Sequence, residues 1–257
     1  MAYKTSENSQ VSMAIGQFHQ TAENQWVKFN PNLSVEKASH YLINYQWQNE
    51  GRILRGEIYY KDYTDLVKLV PNQSIQRESL TNQGNGYAKG FDLFWRDNKT
   101  FEQVDYWISY SYLDTKRDYL NFPHEATPTF ASKHNFSIVY KHFIDKIKTQ
   151  VGMTYNFASG RPYNDPNNTG FNSRKTRAYH DLSMNFSYLL RSNVIIHGSV
   201  TNVLGTKNVF GYEYSSKPDE SGLYKRRAIT PIAPRFIFLG IFITLSKNKS
   251  LNELPNL

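Results

Sequence analysis

The seven histidines offer the most varied chemistry of any residue type here, because an imidazole can bind a metal or transfer a proton. They lie at positions 19, 40, 124, 134, 142, 180 and 197. None of them shows a close metal-ligand spacing such as His-x-x-x-His. His134 and His142 are eight positions apart on one predicted strand, so they can share a face but not an ion. The sequence therefore predicts no metal site and no cofactor.

Nucleophilic catalysis is the second chemistry to consider, since His180 and Asp181 could belong to a triad. Successive residues of a strand point to opposite faces, so these two side chains cannot simply pair. The chain has no Gly-x-Ser-x-Gly nucleophile elbow. Its carboxylates are scattered, without a clear acid–base pair. We therefore predict a protein that is not an enzyme.

Two basic clusters, "NSRKTR" (Asn172–Arg177) and "YKRRAI" (Tyr224–Ile229), could bind phosphate groups, because arginine pairs well with phosphate. Both clusters fall in long predicted loops, and Lys116 and Arg117 lie near the same end of the fold. The alternatives are contact with nucleic acid and an ordinary solvated loop. The candidate phosphate ligands are Arg174, Lys175, Arg177, Arg226 and Arg227.

Aromatic, amide and guanidinium groups also occur in or beside the long predicted loops, where they could line a ligand site. The competing interpretation is loop packing. The candidate ligand-binding residues are Arg161, Tyr163, Asn164, Tyr212 and Tyr214.

The composition limits the class of protein that can present these residues. The 257 residues include no cysteine, which excludes disulfides and thiolate metal sites. Hydrophobic residues make up 39% and the mean hydropathy is −0.61, so no segment is apolar enough for a spanning helix. Aromatic residues reach 15%, which suits strands and interfacial aromatic girdles. The net charge of +8 favours anionic partners.

Alternating strand patterns recur along the whole chain, whereas helical patterns are nearly absent. The one helix-like piece, "SVEKA" at Ser34–Ala38, is interpreted as a short turn in a loop. About ten strands are predicted, near residues 9–18, 39–48, 52–70, 85–97, 103–116, 131–143, 147–160, 178–190, 193–203 and 234–246.

The connections between these strands alternate between short and long. The short ones lie at 49–51, 97–100, 144–146 and 191–193, and the long ones near 19–38, 71–84, 117–130, 161–177 and 204–233. Consequently, all tight turns fall at one end of the sheet and all long loops at the other. Up-and-down outer-membrane barrels are built in this way, whereas Greek-key sandwiches are not.

Each predicted strand has one apolar and one polar face, which raises the question of which face is the core. Tyr41, Ile43, Tyr45 and Trp47 alternate with Asn44, Gln46 and Gln48. In a soluble sandwich the apolar face points inward, whereas in a membrane barrel it points to lipid and the polar face lines a hydrated lumen. The polar faces contain mostly Ser, Asn, Gln, Thr and Gly, which favours a lumen. The last strand, "RFIFLGIFITL", is apolar on both faces and does not fit simple alternation.

Five segments make the chain resemble the C-terminal part of the barrel of TonB-dependent outer-membrane receptors, most like those of Bacteroidetes. "GYAKGFDLFWRD" resembles the family's glycine-containing strand, with Gly86, Gly90 and Asp92 at the matching positions. "VTNVLG" resembles the exit from the penultimate strand, with Asn202 at the matching position. The other three segments are "SGRPY", "YHDLSMNFSYLL" and "PRFIFLGIFITLS". The resemblance covers nearly the whole chain.

The resemblance implies an all-β, antiparallel, up-and-down transmembrane β-barrel portion, with about ten strands of about 22 in a full receptor. Such receptors contain an N-terminal plug, take up scarce nutrients such as chelated iron, cobalamin, glycans or peptides, and are driven through TonB. The implied location is the bacterial outer membrane, with outer-membrane lipid as a partner. The phosphates facing the basic clusters would then belong to lipopolysaccharide.

The sequence departs from the family pattern in its length and its termini. Residues 1–246 are interpreted as the partial barrel and residues 247–257 as a polar tail. No signal peptide, plug or TonB-contacting segment is recognised in the sequence, so we expect the chain alone not to transport. The missing plug and N-terminal strands would be partners, supplied in cis or as a separate chain.

Two alternatives from other functional classes stay open on the sequence alone. The first is a soluble secreted all-β module that binds glycans. The second is a small outer-membrane β-barrel enzyme, since ten strands would be a permitted even number. Nucleic acid is not predicted as a partner.

Overall fold

A computed structural model describes residues 1–70 and 79–245 of the chain, which form an almost entirely β structure. The helical segments in this part include one turn of α-helix, α1 (Asn24–Val27), and a 3-10 turn, Asp145–Ile147. The strands before the first inserted hairpin are β1 (Ala2–Ser6), β2 (Ser9–Gln20), β3 (Glu36–Asn49), β4 (Arg52–Leu69), β5 (Leu80–Asp97), β6 (Val104–Asp118), β7 (His134–Ile144) and β8 (Thr149–Ala158). They are followed by β9 (Pro162–Tyr163), β10 (Arg174–Lys175), β11 (Tyr179–Arg191), β12 (Val194–Thr201), β13 (Gly211–Tyr214), β14 (Arg226–Ile229) and β15 (Phe236–Ile243).

Eleven of these strands form one antiparallel sheet in the order β1-β2-β3-β4-β5-β6-β7-β8-β11-β12-β15. Each strand pairs with its sequence neighbour, apart from two small hairpins, β9–β10 and β13–β14, that rise from the long connections. β1 and β15 form the two edges, so the sheet of the described residues is an open portion of an up-and-down barrel. The predicted fold class is confirmed.

The cross-strand register sorts the side chains of the sheet into an apolar face and a polar face, because directly paired residues share a face. One row of paired residues runs Ile43, Ile58, Phe91, Tyr112. The next row runs Asn44, Glu57, Asp92, Ser111. The alternation expected from the sequence therefore continues from strand to strand across the sheet.

The apolar face is exposed rather than buried, which decides which side is the core. Ile43 is 54% exposed, Ile58 is 67% exposed and Ile241 is 66% exposed. Side chains of this size stay out of a soluble core only if another apolar medium covers them. The apolar face is therefore the lipid-facing belt of the barrel, and the polar face is the lumenal wall.

The last strand breaks the alternation because its lumenal face carries aromatic rings. Register places Phe236, Phe238 and Phe242 on the polar side of the sheet, with Gly240 between them opposite His197. The His197 ring lies 6.1 Å from the ring of Phe238 and 6.4 Å from that of Phe242. The missing side chain at Gly240 gives these rings room beside the imidazole. This accounts for the apolar character of both faces in the sequence.

The short connections lie together at one end of the sheet, as predicted. Glu50 and Gly51 both have positive φ (41° and 82°), as in the tight type I′ turn that suits a two-residue hairpin. The buried Asp97 carboxylate accepts hydrogen bonds from the backbone N–H groups of Lys99 and Thr100, at 2.8 and 2.9 Å. An additional short turn at residues 7–8 joins β1, a strand not predicted from the sequence, to β2.

The interpretation of Ser34–Ala38 as a turn within a loop is wrong, because Glu36–Ala38 begin β3. Glu36 pairs with Gln20 of β2, and its carboxylate accepts a hydrogen bond from the backbone N–H of Val67 at 2.9 Å. Five residues are too few to form a stable helix by themselves, so pairing with the neighbouring strand decides their conformation. The predicted polar tail, residues 247–257, lies outside the described residues.

At the long-loop end, a small hydrophobic cluster ties the first loop to the extended β4–β5 hairpin. Its buried members are Ala22, Val67 and Leu80. The half-buried residues packed against them are Trp26, Val27, Leu33, Leu69 and Leu120. The loop that carries α1 is therefore held against the hairpin by apolar packing.

Candidate functional site

A cleft of about 340 Å³ opens on the lumenal face, at the long-loop ends of β6, β7, β8 and β11. Its polar lining consists of Ser109, Ser111, Asn135, Ser137, Asn156, Ser159, Arg161, Thr176 and Arg177. Its apolar lining includes Tyr179, Val209 and Phe210. A cleft of this size with a few converging polar groups is the usual form of a small-ligand site.

The floor of the cleft is built from the pleat of three neighbouring strands. Ser109 of β6 pairs with Ser137 of β7, which pairs with Asn156 of β8, so the three side chains form one row. The Ser137 hydroxyl donates a hydrogen bond to the Asn156 side-chain carbonyl oxygen at 2.8 Å. Among the described residues, the hydroxyls of Ser109 and Ser111 have no protein partner. They are available to a ligand.

Two arginines stand where the β8–β11 pair continues into the β9–β10 hairpin. The backbone N–H of Arg161 donates to the Thr176 hydroxyl at 3.0 Å, and the backbone N–H of Thr176 donates to the Arg161 carbonyl at 2.9 Å. These bonds bring Arg161 and Arg177 to the same end of the cleft. Within residues 1–70 and 79–245, neither guanidinium is in an ion pair.

Asn208 holds the apolar side of the cleft in place. Its side-chain oxygen accepts from the His180 backbone N–H at 3.1 Å, and its side-chain N–H donates to the His180 carbonyl at 2.8 Å. This bidentate contact fastens the loop after β12 to the start of β11. The neighbouring Phe210 ring then stacks on Tyr179, with ring centroids 6.1 Å apart.

Above the cleft, the β9–β10 and β13–β14 hairpins meet in a loop cluster made of Tyr163, Asp165, Tyr212, Tyr214 and Arg226. The Tyr163 and Tyr212 rings lie 4.6 Å apart, and the Arg226 guanidinium lies 4.5 Å from the centre of the Tyr212 ring. Arg226 also donates to the Tyr163 hydroxyl at 3.4 Å. The Tyr163–Tyr212 ring contact and the Arg226–Tyr163 hydrogen bond therefore join the two hairpins, while the cation–π contact holds Arg226 on its own hairpin.

The electrostatics of this loop cluster centre on the Asp165 carboxylate. Burial opposes its ionisation, but hydrogen bonds from the Asn167 backbone N–H and the Asn168 side chain, with the charge of Arg226, lower the pKa of Asp165. Burial and the adjacent Asp165 carboxylate raise the pKa of Tyr214 to about 12. Asp165 is therefore an anion at neutral pH, whereas Tyr214 keeps its proton.

Asn167 adds a second connection between the same two loops. Its side-chain N–H donates to the Tyr224 carbonyl at 2.9 Å, and its side-chain oxygen accepts from the Tyr224 backbone N–H at 2.7 Å. The two long loops are thus held together by both aromatic and polar contacts.

The structure separates the predicted ligand-binding residues into two groups. Arg161 lines the cleft, whereas Tyr163, Tyr212 and Tyr214 pack in the loop cluster above it. Asn164 is exposed on the loop.

The predicted phosphate ligands also lie in different surroundings. Arg177 lines the lumenal cleft. Arg226 packs on Tyr212, and Arg227 pairs with Glu213 at 2.7 Å. Arg174 and Lys175 are exposed on β10, where the Arg174 guanidinium donates to the Asn168 side chain.

The family-motif residues have structural roles in the sheet. A Cβ on Gly90 would lie 1.9 Å from the Tyr112 carbonyl oxygen, and one on Gly86 would lie 2.6 Å from that of Lys116, so both positions need glycine. Asp92 lies on the lumenal wall opposite Glu57.

Asn202 closes the base of the loop between β12 and β15. This buried residue has a φ of 47°, and its side chain donates to the carbonyls of Thr206 and Pro234, at 2.9 and 2.7 Å. Asparagine suits this position because it adopts left-handed backbone more readily than most residues and its side chain carries an amide.

Sequence reasoning missed the floor of the cleft and the residues that hold the loops around and above it. Ser109, Ser111 and Asn135 were visible only as polar members of alternating strands, which did not single them out. Asn208 and Asp165 lie in loops, where no local pattern marks a residue that bonds a distant segment.

No group of three or more histidine, aspartate or glutamate side chains in the described part of the chain is arranged to hold a metal ion. In the same part, helices long and apolar enough to cross a membrane do not occur.

Comparisons with known proteins agree with this geometry. The family model "TonB dependent receptor-like, beta-barrel" matches residues 3–203. No curated protein sequence matches the chain.

Solved structures match in fold at low sequence identity. The ferric yersiniabactin uptake receptor FyuA from Yersinia pestis matches with a TM-score of 0.71 and 12% identity, over 94% of this chain and 36% of that one. The siderophore receptor PiuA from Acinetobacter baumannii matches with a TM-score of 0.70 and 13% identity, over 94% and 34%.

The copper transporter OprC matches with a TM-score of 0.67 and 10% identity, over 94% and 38%. The chain therefore spans about a third of the length of each of these receptors. With the family model matching most of its length and an outward apolar belt around a polar wall, the chain belongs to the TonB-dependent receptor β-barrel family.

Proposed function

We propose that this chain forms the C-terminal portion of the barrel of a TonB-dependent outer-membrane receptor, of the Bacteroidetes type, that takes up a scarce nutrient. The supporting observation is the division of one sheet into an exposed apolar belt and a polar wall with a cleft under the long loops. Further barrel strands and a plug that contacts TonB complete the receptor. The chain itself contributes lipid-facing wall, lumenal wall and ligand-contacting loops rather than catalysis, with residues 1–246 as the partial barrel and 247–257 as a polar tail.

The orientation in this proposal places the long loops outside the cell and the short turns in the periplasm. The chain contributes no cysteine, so labelling above that of the unsubstituted receptor reports the location of an introduced thiol. Ser221 is exposed in the β13–β14 loop, and Ser192 is exposed in the short turn between β11 and β12. The two Ser→Cys substitutions are chemically matched and lie at opposite ends of the sheet.

The experiment expresses each variant within the full-length receptor and treats intact cells with a polyethylene-glycol maleimide too large to cross the outer membrane. S221C should react in intact cells, and S192C only after the outer membrane is permeabilised. Equal labelling of both variants in intact cells, or recovery of the receptor in the soluble fraction, would contradict the proposal.

We also propose that the exposed basic residues of the long loops contact lipopolysaccharide phosphates. Lys175 and Arg174 support this role best, because both are exposed on β10. Arg226 and Arg227 already have aromatic and carboxylate partners within the chain, and Arg177 lines the cleft. Replacing Arg174 and Lys175 with glutamine should lower the amount of lipopolysaccharide that copurifies with the receptor. An unchanged amount of copurified lipopolysaccharide would contradict this role for Arg174 and Lys175.

A further inference from the structure

The charge of the lumenal cleft is carried by arginine alone. Among the described residues, no aspartate or glutamate lines it, whereas Arg161 and Arg177 both do. Several basic side chains elsewhere in the described residues are in ion pairs, for example Lys68 with Asp118 and Arg96 with Asp105. Unpaired guanidinium groups at a cleft favour an anion, and their planar forks match planar carboxylates in a bidentate way.

The floor of the cleft is neutral and can both donate and accept hydrogen bonds. Within the described residues, the hydroxyls of Ser109 and Ser111 have no partner, and the amides of Asn135 and Asn156, each of which makes one hydrogen bond within the chain, keep further donors and acceptors. A ligand rich in hydroxyl groups matches such a floor, because each hydroxyl also donates and accepts.

The remaining side of the cleft is aromatic. Tyr179 and Phe210 form a stacked pair there, and Phe210 is 46% exposed. An exposed ring offers a broad apolar surface to a ligand that has C–H groups beside its polar groups. A sugar ring combines such C–H groups with hydroxyls, and the cleft volume of about 340 Å³ is within the range of small-ligand sites.

We infer that this cleft binds an oligosaccharide that carries carboxylate groups. Arg161 and Arg177 bind the carboxylates, Ser109, Ser111 and Asn135 bind hydroxyls, and Phe210 packs against a sugar ring. The inference rests on the proposed uptake function, since it names the class of nutrient for the same site.

The test uses the full-length receptor in detergent and isothermal titration with three probes. Trigalacturonate carries carboxylates, maltotriose is a neutral sugar of the same number of rings, and ferric citrate is an anion without sugar rings. Trigalacturonate should bind, and maltotriose should bind at least about tenfold more weakly, because it lacks the charge that the two arginines select.

Matched substitutions connect this selectivity to the cleft. Arg161→Gln and Arg177→Gln should each weaken trigalacturonate binding about tenfold, as expected for the loss of one charged hydrogen-bonding partner. Arg191→Gln is the control, because Arg191 is an exposed arginine at the short-turn end of β11. It should leave binding unchanged. Ser109→Ala should weaken binding less than either cleft arginine variant.

Several results would overturn the inference. These are equal binding of trigalacturonate and maltotriose, no binding of either, tighter binding of ferric citrate, or cleft variants that behave like R191Q. Uptake of trigalacturonate by cells with and without TonB separates this inference from the proposed function. Charge-selective binding without TonB-dependent uptake retains the ligand class and overturns the uptake role. TonB-dependent uptake of a different nutrient retains the uptake role and overturns the ligand class.

Discussion

Ile43 and Asn44 are adjacent on β3, yet they lie in two different environments. Ile43 belongs to a row of large apolar side chains that are exposed on the outer face. Asn44 belongs to a row that continues through Glu57 and Asp92 on the lumenal face. In a soluble sheet the apolar row would be the core, so the comparison shows that this protein uses lipid, rather than its own interior, to cover its apolar side chains.

The two faces also differ in how uniform their side chains are from strand to strand. The outer face is apolar from β2 to β15, whereas the lumenal face includes serine and asparagine on β6–β8, charge on β4–β5 and phenylalanine on β15. Lipid imposes one requirement on all strands, while the lumen contacts different groups at different places. Function is therefore to be sought on the lumenal face and in the loops above it.

The largest expected effect comes from a charge on the outer face. Ile43→Lys should destabilise the barrel by about 2–4 kcal/mol if the position lies near the bilayer midplane, because an ammonium group there faces hydrocarbon. Asn44→Lys, one residue away, should have an effect within about 0.5 kcal/mol, because it faces the lumen. Urea unfolding of the full-length receptor in lipid vesicles measures both. Similar destabilisation by the two variants would contradict the assignment of faces.

A smaller effect is expected from adding one methyl group on each face. A Cβ at Gly90 lies on the lumenal side, 1.9 Å from the Tyr112 carbonyl oxygen, whereas a Cβ at Gly56 lies on the outer side at 3.5 Å from the nearest Leu93 methyl. Gly90→Ala should therefore cost about 1–3 kcal/mol through backbone shifts. Gly56→Ala should be neutral or slightly stabilising, since it restricts the unfolded chain.

Heat-modifiable migration of the folded receptor on detergent gels gives the unfolding temperature of both glycine variants. Equal unfolding temperatures for G90A and G56A would show that the close approach at Gly90 relaxes without cost.

The smallest effect concerns the loop cluster, which is polar and outside both faces. Because the folded-state pKa of Asp165 is lowered, its contribution is fully present above the unfolded value near pH 4 and is lost as the pH falls through the folded value. Hydrogen exchange in residues 162–177 and 211–229 should be constant from pH 7 to about 4, after correction for intrinsic rates. Protection should then decrease in more acidic solution.

Asp165→Asn should reduce this protection about tenfold at neutral pH and remove its acid dependence, because the amide cannot form the charged hydrogen bonds. Asn164→Ala is the neighbouring control, since Asn164 is exposed and makes none of these contacts. Acid-dependent exchange that persists in D165N would assign the effect to another group.

The apolar and polar faces of the strands could be predicted from the sequence because side chains along a strand alternate with a period of two. All ten predicted strands are present, and the alternation of short turns and long loops is confirmed. The prediction was wrong at Glu36–Ala38, where local helix propensity was outweighed by pairing with β2 and β4. It also missed β1 and the two small hairpins, whose two- to five-residue strands are too short to produce a pattern.

The candidate site could be predicted from the sequence only in part. The sequence singled out Arg161, Tyr163, Tyr212 and Tyr214 as loop residues that could contact a ligand, but it could not separate the cleft from the cluster that holds the loops together. That separation depends on contacts such as those of Asn208 with His180 and of Asn167 with Tyr224, which join residues 28 and 57 positions apart.

By itself, then, the sequence determined the strands, their two faces and the end at which the long loops lie, because these follow from residue periodicity and turn chemistry over short distances. Only the tertiary structure decided that the apolar face is exposed and that Ser109, Asn135, Arg161 and Arg177 line one cleft. The physical reason is register: which residues become neighbours across a sheet depends on the pairing of whole strands, and no single segment of the chain contains that information.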